Sequence, residues 1–259
     1  MINEQYTNEE LFKFYIEDAK YPFTGWDFSY ISNRMVSTPL TWSYDSIVIP
    51  FIRKAETLLD MGTGGGEKLA SLQPLPKKTF ATEGYEPNIP IAIKTLEPLG
   101  VQVVKIGKDE KLAFPNDFFD LIINRHESYS PKEIKRILKS NGYFITQQVG
   151  GDNDLDINHF LDAKVEDEIS EYLHWNLEFA TNQLLEEELS IKYRKECFPI
   201  QRCFDIGAIV YHLKAIPWQI PDFTIEKYHD KLFELHNKIQ EEGYFDIANQ
   251  RFLIIAQKK

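Results

Sequence analysis

From Glu56 onward, short apolar runs alternate with helix-like segments. Residues 57–61, 79–82, 101–106, 119–124 and 143–149 read as strands, and 67–72, 90–99 and 131–139 as helices. The helix boundaries carry the expected punctuation. Gly100 stops one helix, Pro131 opens another in its first turn, and Asn141-Gly142 caps its end. Strands alternating with helices over a hundred or so residues predict a mostly parallel sheet with helices on both faces.

The flanks have a different texture. Thr7-Asn8-Glu9-Glu10 fits a capping box, and Leu11, Phe12, Tyr15, Ile16 and Ala19 follow at helical spacing until Tyr21-Pro22. A second helix is expected over 43–54, bent at Pro50. Between the two lie aromatic residues among Gly, Ser, Asn and Pro. These fifty-four residues read as an N-terminal helical cap, with the main domain over 55–259. Within that domain, 151–222 is a variable insertion before the last strands. It contains a helix over 171–188 and a strand-like run at 208–213. Residues 223–242 form an amphipathic helix, and 251–256 a final strand. No internal repeat or low-complexity linker divides the chain.

Charge then narrows the picture. With 29 Lys and Arg against 40 Asp and Glu, the net charge is −11, which argues against a protein wrapped in nucleic acid. Yet 151–190 alone holds twelve of the acids and a single base, Lys164, so the remainder of the chain is neutral. Net charge therefore excludes less than it first suggests. No run approaches the ~18 apolar residues of a membrane span. The polar, acidic start lacks the features of a secretory signal, and a cytoplasmic location is expected. Two cysteines, Cys197 and Cys203, and six scattered histidines give neither a disulfide framework nor a metal site.

The informative element is Leu58-Leu59-Asp60-Met61-Gly62-Thr63-Gly64-Gly65-Gly66-Glu67, a strand entering a glycine-rich turn and a helix leaving it. Glycine permits left-handed backbone angles and lets a ligand approach without a Cβ in the way. A phosphate-binding loop would end in Gly-Lys-Ser/Thr, whereas this one ends in Gly66-Glu67. A dinucleotide fingerprint needs glycine at its sixth position, where Glu67 stands instead and would repel a pyrophosphate.

An acid, one residue and then Gly-x-Gly-x-Gly resembles motif I of the class I S-adenosylmethionine-dependent methyltransferases, in particular the type 11/25 domain group. The matching positions are Asp60, Gly62, Gly64 and Gly66, with Thr63 between the first two glycines. Glu83 ends the second strand, 17 residues after Gly66, where that family places the acid that holds the ribose hydroxyls. Stretches 111–123 and 136–144 also look like the family's later strands, so the resemblance covers roughly 55–150. It implies a Rossmann-like α/β fold with a seven-stranded, mostly parallel sheet, and S-adenosylmethionine as cofactor. It also implies cofactor contacts at Asp60, Gly62, Thr63, Gly64, Gly66, Glu83 and Asn124. The family's adenine-binding acid is replaced by Lys108, which leaves neighbouring Asp109 or backbone groups for that contact.

Methyl transfer from a sulfonium needs alignment, exclusion of water and sometimes removal of a proton. Asn124-Arg125-His126-Glu127-Ser128-Tyr129 leaves the fourth strand where the methyl group would lie. His126 is the candidate base, Glu127 would orient it or bind a cationic acceptor, and Asn124 would stand beside the cofactor. The same turn, read without function, is a polar surface loop. Trp26, Phe28, Tyr30, Trp42 and Trp218, with Arg125 and Tyr129, are the candidate acceptor pocket. Taken singly, each aromatic residue reads equally as core packing. No Asn-Pro-Pro-Tyr or Pro-Cys sequence points to a nucleobase acceptor. A small-molecule acceptor is favoured. RNA or tRNA, met by the basic residues Lys132, Lys135, Arg136 and Lys139 and by Lys192, Arg194, Lys195 and Arg202, is the alternative. A non-catalytic S-adenosylmethionine-binding regulator is the third reading. Sequence leaves the oligomeric state open.

Overall fold

The computed structural model describes residues 6–23, 27–107, 111–164 and 173–259. In chain order the strands are β1 Met35–Ser37, β2 Thr57–Met61, β3 Lys78–Glu83, β4 Val101–Lys105, β5 Phe119–Arg125, β6 Leu138–Val149, β7 Ser190–Cys197, β8 Ile200–Cys203, β9 Phe245–Ala248 and β10 Arg251–Gln257. The helices are α1 Asn8–Ile16, α2 Tyr44–Ile52, α3 Glu67–Ser71, α4 Ile89–Leu96, α5 Pro131–Ile137, α6 Leu155–Phe160, α7 Leu177–Glu186, α8 Ile206–Ala215 and α9 Ile225–Glu242. They group into two units, each drawn from three separate stretches of chain.

The first unit comprises 40–150, 175–197 and 251–259. Its seven-stranded sheet has the order β4-β3-β2-β5-β6-β10-β7. Strands β2 to β6 pair in parallel, and β10 runs antiparallel to both neighbours. Side chains alternate across a strand, and that rule builds two cores. Leu58, Leu121, Ile123, Ile145, Leu253 and Ile255 pack on one face with Val48 of α2, Leu69 of α3 and Leu96 of α4. Leu59, Met61, Ile122, Phe144, Phe252 and Ile254 pack on the other with Ile134 of α5 and Leu184 of α7. Burial on both sides explains why β2 reads as an unbroken apolar run interrupted only by Asp60. Helix α5 ends at Ile137 with extended Leu138 as its cap, so Asn141-Gly142 does not close it; both lie within β6, where Asn141 has φ 65°.

The second unit comprises 1–39, 151–174 and 198–250. A three-stranded antiparallel sheet, β1-β8-β9, accompanies α1, α8 and α9. Residues 40–54, with α2, belong to the sheet unit rather than to the N-terminal stretch. The strand expected at 208–213 is part of helix α8, and the sixth strand of the large sheet is β7. The misreading has a clear cause. A short apolar run buried all round has no period to separate strand from helix, and nine of the ten residues of α8 are buried. The helix is declared by Asp205, whose carboxylate caps the N-terminus by accepting from Ala208 N–H at 2.9 Å. The helix expected over 171–188 is observed as α7; residues 165–172, with Glu166, Asp167, Glu168 and Glu171, lie outside the described residues.

Asp205 also binds Arg34 Nε at 2.7 Å, and Arg34 is shared with Asp18. Replacing Asp205 with Ala therefore removes a cap and leaves a half-buried guanidinium with one partner. The expected loss is about 2–3 kcal/mol in urea unfolding, with Asp205→Asn, which keeps a capping oxygen, losing less.

Candidate functional site

The glycine turn at the carboxyl end of β2 is built from left-handed residues: φ is 64° at Gly62, 63° at Gly64 and 88° at Gly66. Two of these positions are also sterically closed. A Cβ on Gly62 would lie 2.4 Å from Glu127 Cγ, and one on Gly66 would lie 2.6 Å from Leu96 Cγ. At Gly64 nothing stands within 4 Å, so the turn is open there. Two bonds pin the turn to the neighbouring strand: Thr63 N–H donates to Thr82 O at 2.9 Å, and Gly62 N–H to Thr82 Oγ1 at 3.3 Å. Glu67, at the start of α3, folds its carboxylate over Gly65.

Register brings the carboxylates to the same end of the sheet. Asp60 pairs with Ala81 on β3 and with Ile123 on β5, and Glu83 ends β3. Both are buried. Glu83 accepts from Tyr85 N–H at 2.7 Å. Burial pushes Asp60 up to about 7; Thr63 and the charge of Arg125 offset part of that rise, and the charge of Glu83 adds to it. Tyr44, the first residue of α2, belongs to the same cluster. Burial and then the charge of Asp60 raise its phenol well above the usual value, while Arg125 works the other way.

The end of β5 supplies the rest. Asn124 is fully buried, and its Oδ1 accepts from Gln148 Nε2 at 2.7 Å and from Thr146 Oγ1 at 3.1 Å. Its Nδ2, like Tyr44 Oη, is buried without a hydrogen-bond partner among the described residues. Buried polar atoms are ordinarily satisfied, so such orphans call for a ligand or water. His126 follows at φ 63°, an uncommon conformation outside glycine. Desolvation by the surrounding protein, then the charges of Arg125 and Arg251, hold its pKa well below the usual imidazole value. Glu127 lies against Gly62, and its Oε1 accepts from Ser128 N–H at 3.1 Å.

The structure thus brings Asp60, Gly62, Thr63, Gly64, Gly66, Glu83, Asn124, Arg125, His126 and Glu127 to one end of the sheet. Tyr44, Gln147 and Gln148 join them; sequence reasoning missed all three, because only strand register and helix placement put them there. Trp42 is in the same unit, bonded through Nε1 to Gln147 Oε1 at 2.9 Å. Tyr129 packs edge-on against Phe144 and Trp175. Phe28, Tyr30 and Trp218 belong to the other unit. There Phe28 lies between Phe23 and His212, and Tyr30 stacks on Tyr21 at 3.7 Å and donates to Asp18. Trp218 is about half exposed. Trp26 and Asp109 fall outside the described residues. Among the described residues no group of His, Cys, Asp and Glu could hold a metal ion, and no helix is long and apolar enough to cross a membrane.

Residues 59–146 match a family described as a methyltransferase domain. The uncharacterized methyltransferase YcgJ of Bacillus subtilis (strain 168) is 26% identical over 164 residues, which cover 58% of this chain and 63% of that protein. The chain therefore spans somewhat less than two thirds of that curated relative. Among solved structures, the candidate methyltransferase BH2331 of Bacillus halodurans C-125 aligns with a TM-score of 0.60 at 17% identity, covering 84% of this chain and 99% of that one. The YcgJ structure aligns with a TM-score of 0.55 at 16% identity, over 83% and 97%. These likenesses show a shared fold.

Two outcomes follow from the geometry. Gly62→Ala meets both a left-handed backbone and the Glu127 side chain, so it should disable ligand binding, whereas Gly64→Ala meets only the backbone penalty of about 1–2 kcal/mol; calorimetry of the two variants separates them. Asp60 is ionised only above about pH 7. The affinity for a ligand whose cation it meets should therefore rise up to tenfold per pH unit on approaching pH 7 from below and level off above it. A flat profile from pH 5.5 to 8 would remove Asp60 from the site.

Proposed function

We propose that this protein, whose residues 59–146 match a methyltransferase domain, is a class I enzyme that transfers a methyl group from S-adenosylmethionine to a small-molecule acceptor. The observation that carries the reading is the cluster at the end of β2 and β5: two buried carboxylates, an open glycine turn and orphaned buried polar atoms on Tyr44, Thr63 and Asn124. Their chemistry fits the cofactor. Asp60 would meet the ammonium of its aminoacyl end, Glu83 would accept from the two ribose hydroxyls, and the glycine turn would let the ligand approach the backbone. Tyr44 Oη and Asn124 Nδ2 would gain the partners they lack.

S-adenosylmethionine supplies an electrophilic methyl group on a positively charged sulfur. The protein's part is to hold the acceptor's lone pair in line with that carbon and to keep water away. Arg125, His126 and Glu127 lead away from the strand that carries Asn124 and are the groups this unit offers to the acceptor.

A small acceptor is preferred to RNA because five of the eight basic residues that would grip phosphates are engaged within the protein. On α5, Arg136 binds Glu133 and the carbonyls of Leu112 and Phe114, and Lys135 pairs with Glu188. Just after that helix, Lys139 pairs with Asp120. Lys195 donates to Thr41 O, and Arg202 pairs with Asp246.

Calorimetry should show S-adenosylmethionine binding to the wild type. Asp60→Ala and Glu83→Ala should each weaken it at least tenfold, about 1.4 kcal/mol. A preference for a nicotinamide cofactor, or unchanged affinity in both variants, would overturn the reading. Release of S-adenosylhomocysteine across a panel of small acceptors would support transfer; binding to total RNA with a steep salt dependence would favour a nucleic-acid acceptor instead.

A further inference from the structure

Trp42, Gln147 and His126 form a chain of hydrogen bonds whose direction is fixed by chemistry. An indole N–H can only donate, and Trp42 Nε1 meets Gln147 Oε1 at 2.9 Å. The other end of that amide is therefore its NH2 group, also donor only, and it stands 3.2 Å from His126 Nε2. His126 Nε2 must then be the nitrogen with the lone pair, and the proton of the neutral ring sits on Nδ1.

The surroundings hold this arrangement in place. Gln147 is buried on β6 and pairs across the sheet with Arg125. Its carbonyl accepts from His126 N–H at 2.8 Å, fixing the backbone of His126 in its left-handed turn. Trp42 directly precedes Ser43, whose side chain caps α2 by accepting from Ser46 N–H, so the start of that helix anchors the indole. A proton arriving at Nε2 would face the amide NH2 head-on and would add a positive charge beside Arg125 and Arg251. The carboxylate of Glu127, next in the chain, is turned to Ser128 and Gly62. Nitrogen Nδ1 has no hydrogen-bond partner among the described residues.

We propose that His126 acts as a hydrogen-bond donor through Nδ1 rather than as a base, and that together with Arg125 it recognises a carboxylate on the methyl acceptor. Trp42 and Gln147 are positioning residues that set the tautomer. The assignment of the carboxylate to an acceptor rests on the methyl-transfer reading; the donor role of His126 does not.

Long-range nitrogen–proton NMR of the full chain with labelled histidine tests this, the His126 signals being assigned by their loss in His126→Asn. The wild type should show a proton on Nδ1 and no titration between pH 5.5 and 8. Sodium acetate should shift the Nδ1 signal saturably, and Arg125→Ala should weaken that response at least tenfold. Gln147→Glu places an acceptor against Nε2, so it should move the proton to Nε2 and bring a titration into the window; Trp42→Phe should give mixed tautomers. A proton on Nε2 in the wild type, a titration near 6.5, or an acetate response indifferent to Arg125→Ala would overturn the proposal. The wild-type spectra need no variant to fold and no cofactor to bind. A failure to bind S-adenosylmethionine in calorimetry would sink the methyl-transfer reading separately.

Discussion

Burying Asp60 beneath the glycine turn costs solvation that no ion pair within the described residues returns. Each unit of pKa corresponds to about 1.4 kcal/mol, so a carboxyl raised from 3.8 to about 7 holds its ionised form some 4 kcal/mol less favourably than water would. A nearby second carboxylate, Glu83, sharpens the cost. Much of the site follows from that constraint. Thr63 and the charge of Arg125 moderate it, and the phenol of Tyr44 is kept from ionising beside it. A bound cation would return part of what burial removes.

What could be read from the sequence divides along physical lines. The turn was legible because three left-handed residues in five positions leave little choice but glycine, and because an acid inside an apolar strand has no place in a core unless it meets something. Glu83 was singled out by the family resemblance, and the structure buries it at the end of β3. The mostly parallel character of the sheet was legible from the alternation of strand and helix, since parallel neighbours need crossover helices; its strand order was not. Helix α8 was misread because a segment buried on every side loses its period, and its capping aspartate was not weighed. Gln147 was invisible for a different reason. A glutamine in a strand carries no signal of its own, and its role depends on an indole 105 residues away and a histidine 21 residues away.

The aromatic residues show the limit of composition as a guide. Trp42, expected to roof a pocket, bonds to Gln147 through the polar edge of its ring. Tyr129 serves packing between Phe144 and Trp175. Phe28 and Tyr30 contribute to the core of their own unit. Aromatic side chains carry both an apolar body and, in Trp and Tyr, a polar handle, and sequence shows neither which part is used nor toward what.

The placement of β10 has a consequence for the life of the chain on the ribosome. This strand, residues 251–257, lies between β6 and β7, although both precede it in the sequence. Until it emerges, β6 ends in an unpaired edge and β7 has no neighbour in the sheet. The second unit likewise gains its last strand, β9, only at 245–248. Both sheets thus wait for residues 245–257. A nascent or truncated chain stopping near Gln250 would carry exposed strand edges backed by apolar faces, the kind of species that associates with its own copies before it can fold.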